Sequence, residues 1–330
     1  MGIKVYVLNP SRRVKAILNM AIFDMELGSG SKNDFELSFN DILPEDSQVT
    51  LGDYWTIPDT DIGGIIESIQ DAENTVTYKG RVFAGILDNK IIEPDSGNDY
   101  YTQSGNLRSI VATLLNRYGL TSLFTVDSEM PNDYISKYQY NRYVSVYVGL
   151  QGLFKTKGYT LFLSFSLDDY TVHVSALPVQ KVSHVLAGAT LDAQLDTRPV
   201  NHLIGLGKGE LRNRLVVHWY ADANGNVSQS QTFTGLNERT EVYEQTSEED
   251  RAKLDEATRE KLEEYQTFTT AKLTISNSNL ALNVGDIVTA TSPILGITVS
   301  APIDKKIIQL EKDTLASSFT LTDKTTTTNY

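Results

Sequence analysis

Through residues 1–95 apolar and polar positions alternate in short runs, the period of strands with one buried face. Residues 4–8 and 15–19 predict a first hairpin across Asn9-Pro10-Ser11. Residues 22–27 and 35–39 predict two further strands, the latter with clean alternation, separated by the turn-rich Gly28-Ser29-Gly30-Ser31. Further runs at 52–57, 64–70, 75–81 and 84–91 follow, with turn residues between them. Short strands at this spacing predict a small antiparallel barrel.

The period changes after Glu93-Pro94-Asp95-Ser96-Gly97-Asn98, which we take as a boundary. Leu107, Ile110, Val111, Leu114, Leu115 and Tyr118 fall on one helical face, and Gly119 stops the helix. A second helix is expected over 143–157, with Val144, Tyr147, Val148 and Phe154 inward and Gly158 as its end. A hairpin pairing 159–165 with 171–176, turning at Leu167-Asp168-Asp169, completes an α+β module.

Strand patterning returns from Ala189, with strong β composition at 200–206 and 215–220. Asn224-Gly225 reads as a two-residue hairpin turn in which both positions take positive φ. Residues 247–266 are the exception. Ser247 with Asp250 resembles a capping box, and Lys253, Glu256, Arg259 and Glu260 mark a solvated helix. Its narrow apolar face of Leu254, Ala257, Leu262 and Tyr265 suits a helix lying on a barrel surface or against a partner. Residues 324–330 form a polar tail. The fold class is therefore mixed β and α+β: two similar antiparallel β-barrel domains, 1–95 and 186–330, flanking a small helix-containing module at 96–185.

The two barrels echo each other. Leu51-Gly52-Asp53-Tyr54-Trp55-Thr56 and Val284-Gly285-Asp286-Ile287-Val288-Thr289 each open with an apolar-Gly-Asp turn. Each is followed by an Ile-rich upstroke ending in Gln70 or Gln309, an acidic tip, and a return strand. Gly52, Asp53, Gly285 and Asp286 thus mark the turns of an internal duplication.

Composition narrows the function. A chain of 330 residues can hold two or three domains, and with no Cys it has neither a disulfide framework nor a thiol nucleophile nor a thiolate metal site. No apolar run is long enough to cross a bilayer, and residues 1–8 are too short and strand-like for a signal peptide, so synthesis is expected in the cytoplasm. The net charge of -13 argues against gripping nucleic acid through its phosphates. It suits plain solubility, and equally an acidic wall that DNA slides past.

Candidate chemistry is sparse. Gly205-Leu206-Gly207-Lys208-Gly209 lacks the phosphate-loop pattern and no helix follows it, so it reads as a turn or bulge. His173, His184, His202 and His218 each lie in a β context without zinc spacing. Carboxylates are too many for any pair to stand out; Glu67, in an apolar run, faces either solvent or a neighbouring subunit. Ser136, Ser145 and Ser164 lack a nucleophile-elbow context. Tyr134, Tyr138, Tyr140, Tyr143 and Tyr147 crowd together, suited to an interface, a carbohydrate site or the module's own core. Tyr134, Tyr138, Tyr140 and Glu67 are the interface candidates; no catalytic, cofactor or metal site is expected.

Asp34-Phe35-Glu36-Leu37, Leu51-Gly52-Asp53-Tyr54, Gly64-Ile65-Ile66-Glu67-Ser68-Ile69, Lys79-Gly80-Arg81 with Ile86-Leu87-Asp88, and the closing unit from Gly285 carry a family resemblance. The chain resembles phage baseplate and tail hub proteins: the N-terminal hub region of siphophage tail-associated lysins, and hub proteins of contractile tails and Gram-positive prophage particles. The resemblance implies a homotrimer at the tail tip. Two similar barrels per chain would let three copies present six similar surfaces to the six-fold tail rings. It further implies contacts with distal tail or tail-tube rings, a tape-measure protein, and receptor-binding or cell-wall-degrading tip proteins. DNA would pass without specific binding, no membrane would be entered, and the location would be the virion. The chain stops soon after the second barrel, so hydrolysis or host binding would reside in another chain or a further segment. A host-surface or carbohydrate-binding adhesion module is the alternative, and a cell-wall hydrolase a third reading that a zymogram would expose.

Overall fold

The computed structural model describes residues 2–28, 30, 32–72, 75–183, 189–195, 200–266, 269–275, 282–292 and 297–321. The chain divides into a larger unit, made of Met1–Leu191, Lys272–Thr291 and Thr298–Thr326, and a smaller one built mainly from Asp192–Ala271. Mixed β and α+β describes both. Residues 96–185 lie within the larger unit, and the smaller unit is an insertion in the chain of the larger one. His184 and the polar tail at 324–330 lie outside the described residues.

Among the described residues, the largest sheet has ten strands. Its main path runs Ala189–Leu195, Thr269–Ile275, Thr314–Leu321, Ile297–Glu311, Ala21–Gly28, Asp34–Phe39, Thr75–Arg81, Ser68–Ala72. Strand Ala21–Gly28 shows why one face is buried: Ala21, Phe23, Met25 and Leu27 point inward while Ile22 and Asp24 are exposed. Trp55 is fully buried between Phe23 and Phe35, with ring centroids 5.0 and 4.9 Å away. A second sheet, ordered Val14–Leu18, Val5–Leu8, Tyr54–Thr56, Gly63–Ile65, brings Val5, Val7, Leu8 and Leu18 into the same core.

Helix Leu107–Arg117 buries Leu107, Ile110, Val111, Leu114 and Leu115, as the spacing predicts. The expected hairpin is present as Tyr159–Ser166 against Thr171–Pro178, with Phe124–Val126 added in parallel. Two expectations for this stretch of chain need correction. Residues 84–91 are not a strand: Phe83–Asp88 is a helix, because Phe83, Ala84 and Leu87 are spaced to bury together, and only Ile91–Ile92 is extended. The helix expected from 143 begins at Val146. Tyr143 has φ 56°, Val144–Ser145 pairs with Ile91–Ile92, and the Ser145 hydroxyl caps the helix by accepting from the Val148 N–H at 3.2 Å.

In the smaller unit a sheet ordered Val227–Ser228, Val216–Ala221, His202–Leu206, Thr240–Glu244 carries helix Arg251–Tyr265 on one face. Leu254, Thr258 and Leu262 are buried there, and Trp219 Nε1 donates to Asp255 Oδ1 at 3.2 Å. The seat is close. A Cβ on Gly205 would lie 2.1 Å from Thr258 Oγ1, so the helix approaches as it does only over a glycine. The cap is Asp250, whose Oδ1 accepts from the Ala252 N–H at 2.8 Å, rather than Ser247. The Asn224-Gly225 turn also differs. Only Gly225 has positive φ, at 80°; its N–H donates to Asp222 O and the Asp222 N–H to Asn226 O. The Asp222 carboxylate accepts from the N–H groups of Asn224 and Asn226, so the turn is held by a side chain and is one bulge longer than two residues.

Candidate functional site

The two Gly-Asp turns share one pattern of hydrogen bonds. In the first, the Asp53 N–H donates to Thr50 O (3.2 Å) and the Thr50 N–H donates to Asp53 Oδ2 (2.8 Å). The Gly52 N–H donates to Ile66 O and the Ile66 N–H to Asp53 O, both at 2.8 Å. In the second, the Asp286 N–H donates to Asn283 O (3.1 Å) and the Asn283 N–H to Asp286 Oδ2 (2.7 Å). The Gly285 N–H donates to Ile303 O and the Ile303 N–H to Asp286 O, again at 2.8 Å. Gly52 (φ 86°) and Gly285 (φ 99°) occupy the third position of these turns, which takes positive φ. Each Asp thereby locks a turn to the upstroke that follows it.

The locks differ in how they meet the buried charge. Asp53 Oδ2 also accepts from Lys15 Nζ at 2.9 Å. Asp286 Oδ1 accepts from the Gln180 N–H at 2.8 Å, and burial pushes its carboxyl above the ordinary range against the pull of its backbone donors and Lys306. Behind the second turn Leu282, Val288, Ala301, Ile303, Phe319 and Leu321 form their own small core.

Strand order extends the repeat beyond what the sequence reading found. Residues 21–27, Ala-Ile-Phe-Asp-Met-Glu-Leu, are echoed by residues 189–195, Ala-Thr-Leu-Asp-Ala-Gln-Leu. Both are strands and both lead their copy: Ala21–Gly28 before Asp34–Phe39, and Ala189–Leu195 before Thr269–Ile275. In the first copy a short turn joins the two, and in the second the smaller unit is inserted. The long sheet is then one four-strand pattern laid down twice. The signal was there as alternation with Asp in the fourth position, but the intervening insertion hid its partner strand.

The copies meet where Ile297–Glu311 pairs with Ala21–Gly28, in register from Lys305↔Gly28 to Leu310↔Phe23. Lys305 pairs with Glu26, and Gln309 Nε2 donates to Asp24 Oδ2 at 2.6 Å on the open face. On the other face Lys306 Nζ donates to Asp61 Oδ2 at 2.6 Å. At the end of the sheet Ser68–Ala72 is exposed at every residue. Among the described residues it pairs with Thr75–Arg81 alone.

The other sequence candidates are dispersed. Glu67 sits beside that end strand and takes Arg81 Nε on both carboxylate oxygens at 3.0 Å. Tyr140 is 1% exposed and donates to Gln103 Oε1 at 2.7 Å, a core position in which burial raises its hydroxyl above the usual range. Tyr138 packs edge-on against it at 4.7 Å, while Tyr134 is exposed. Gly207 and Lys208 join the ends of strands, the Gly207 N–H donating to Leu215 O. Ser145 is a helix cap. His173 bonds Asp169, and His202 bonds His218. Among the described residues no group of three or more His, Asp or Glu side chains could hold a metal ion. No helix among them is long and apolar enough to cross a membrane.

No protein-family model matches the chain, and no curated protein matches it. Solved structures are similar over nearly all of it. The prophage tail protein gp18 from Listeria monocytogenes EGD-e is 12% identical, with 98% of this chain and 95% of that chain covered and a TM-score of 0.48. The 43 kDa tail protein of prophage MuSo2 from Shewanella oneidensis is 12% identical, covering 97% and 98%, at 0.47. The tail protein from Neisseria meningitidis MC58 is 14% identical, covering 97% and 96%, at 0.43. All three are tail proteins.

Proposed function

We propose that this chain is a structural hub at the tip of a phage tail or tail-like particle, three copies closing a ring with six near-equivalent sectors. One observation carries the reading: the sheet ends in two complementary edges. Ser68–Ala72 holds in the first copy the place that Ile297–Glu311 holds in the second. The latter is covered by Ala21–Gly28, and Ala189–Leu195, the echo of that strand, stands at the opposite end of the same sheet. A neighbouring chain would set its 189–195 strand against 68–72, repeating between chains the seam already made within one. Such a head-to-tail contact is heterologous, so it closes a ring or grows a filament. Three chains give six four-strand sectors, the number that fits six-fold tail rings.

The open face of the sheet would line the bore. Three of its described cations are engaged by carboxylates, Lys79 with Glu36, Arg81 with Glu67 and Lys305 with Glu26, which lowers the positive charge offered to passing DNA. Tail-tube rings, a tape-measure protein and separate receptor-binding or cell-wall-degrading proteins are the expected neighbours, and no enzymatic role is assigned to this chain. Met20, Ile22, Val76 and Leu315, all exposed, lie toward the hairpin-tip end and are assigned to contact with a tail-tube ring.

Native mass spectrometry of the chain at high concentration, together with the rotational symmetry of purified particles, tests the proposal. The expected result is three times the chain mass and a three-fold hub. Replacing Asp71 with Pro, on the open edge, should reduce it to monomer with the fold retained. A chain that stays monomeric at high concentration and is missing from particles would overturn the reading.

A further inference from the structure

The sheet face of the smaller unit turned away from helix Arg251–Tyr265 carries a group of rings that the hub reading does not use. His202 lies opposite Tyr220 in the ladder and Ile204 opposite His218, so the three rings share one face. The His202 and Tyr220 centroids are 4.4 Å apart and those of His202 and His218 5.2 Å. His202 Nδ1 is 2.8 Å from Glu238 Oε1 and 3.0 Å from Thr240 Oγ1; its Nε2 is 2.9 Å from His218 Nδ1. Gln231 Nε2 donates to the same Glu238 oxygen at 3.0 Å.

Two ring nitrogens at hydrogen-bonding distance share one proton: one donates and the other offers its lone pair. With His202 neutral and Nδ1–H directed at Glu238, His218 Nδ1–H donates to His202 Nε2. If His202 is charged, its Nε2–H donates to His218 Nδ1. A second charge would set two N–H groups head to head and two cations side by side, and the bond would break. Among the described residues, the groups bonded to or stacked on the pair are the Glu238 carboxylate, the Thr240 hydroxyl and the Tyr220 ring, and of these only Glu238 is negatively charged. Partial burial, and then the proximity of His202, lowers the affinity of His218 for its proton.

We propose that Glu238, His202 and His218 form a proton-operated catch across the two central strands of the smaller unit, closed near neutral pH and released by acid. Because His218 in the folded chain binds its proton less readily than in the unfolded chain, the catch contributes fully above the ordinary histidine value of about 6.5. Its contribution is lost as pH falls from there through the lowered folded value.

Imidazole proton–nitrogen NMR spectra of the full chain between pH 8 and 4 provide the test. His218 should titrate below about 6.5, and replacing His202 with Phe should move its midpoint upward. Backbone hydrogen exchange in 202–206 and 216–221, corrected for intrinsic rates, should quicken several-fold on acidification in the native chain but not in His218→Phe, which keeps a ring beside Tyr220. Independent titration of both rings near the ordinary value, with no acid response in exchange, would overturn the proposal. If His202→Phe does not fold, the native titration and exchange decide the matter alone.

Discussion

Replacing Asp53 with Ala isolates one of the two turn locks and leaves its twin as an internal standard. The carboxylate is fully buried, and Oδ2 accepts from the Thr50 N–H at 2.8 Å and from Lys15 Nζ at 2.9 Å. A backbone donor to a buried carboxylate is worth about 1.5 to 3 kcal/mol. The Lys15 side chain is 17% exposed and can turn its ammonium to water, so the ion pair adds about 1 kcal/mol. The Thr50 hydroxyl, at 3.2 Å on an exposed residue, adds little. The expected local loss is about 2.5 to 4 kcal/mol, which corresponds to a fall in amide protection of about 10² to 10³ for opening of this turn. Hydrogen exchange by mass spectrometry reads it in peptides spanning 49–67, with those spanning 282–304 as the reference. A fall of less than about tenfold, or an equal fall at both turns, would refute the assignment of the lock to the carboxylate.

Other consequences are open to measurement. Gly205→Ala should destabilise the smaller unit by about 1 to 3 kcal/mol in urea titrations, because the new Cβ meets Thr258 Oγ1 at 2.1 Å and Val217 Cγ2 at 2.7 Å; Thr258→Ala should relieve part of the cost. Tyr140→Phe should cost about 1 kcal/mol through the lost bond to Gln103, whereas Tyr134→Ala should change stability by less than about 0.5 kcal/mol and so report on association alone. The Asp286 carboxyl is raised by burial, so its contribution is fullest below the ordinary 3.8 and is lost as pH rises through its higher folded value. Exchange at 282–304 should therefore quicken over that rise in the native chain more than in Asp286→Asn.

What could be read from the chain was local. Helix Leu107–Arg117, the alternation of the opening strands and both Gly-Asp turns follow from contacts between residues a few positions apart, and the absence of Cys alone removed thiol chemistry. The Asn224-Gly225 turn was longer than its dipeptide suggested because the Asp222 side chain captured two backbone N–H groups. Residues 84–91 became a helix and then a two-residue strand because burial of Phe83 and Leu87 outweighed β composition.

Sequence by itself determined that the chain repeats a turn, a strand and an acidic tip. Only the tertiary structure decided that the repeat continues through an echo strand cut off by an inserted unit, that Lys306 reaches Asp61, and that His202 meets His218. Strand order is set by which edges find hydrogen-bond partners across long separations, and no window of neighbouring residues carries that information.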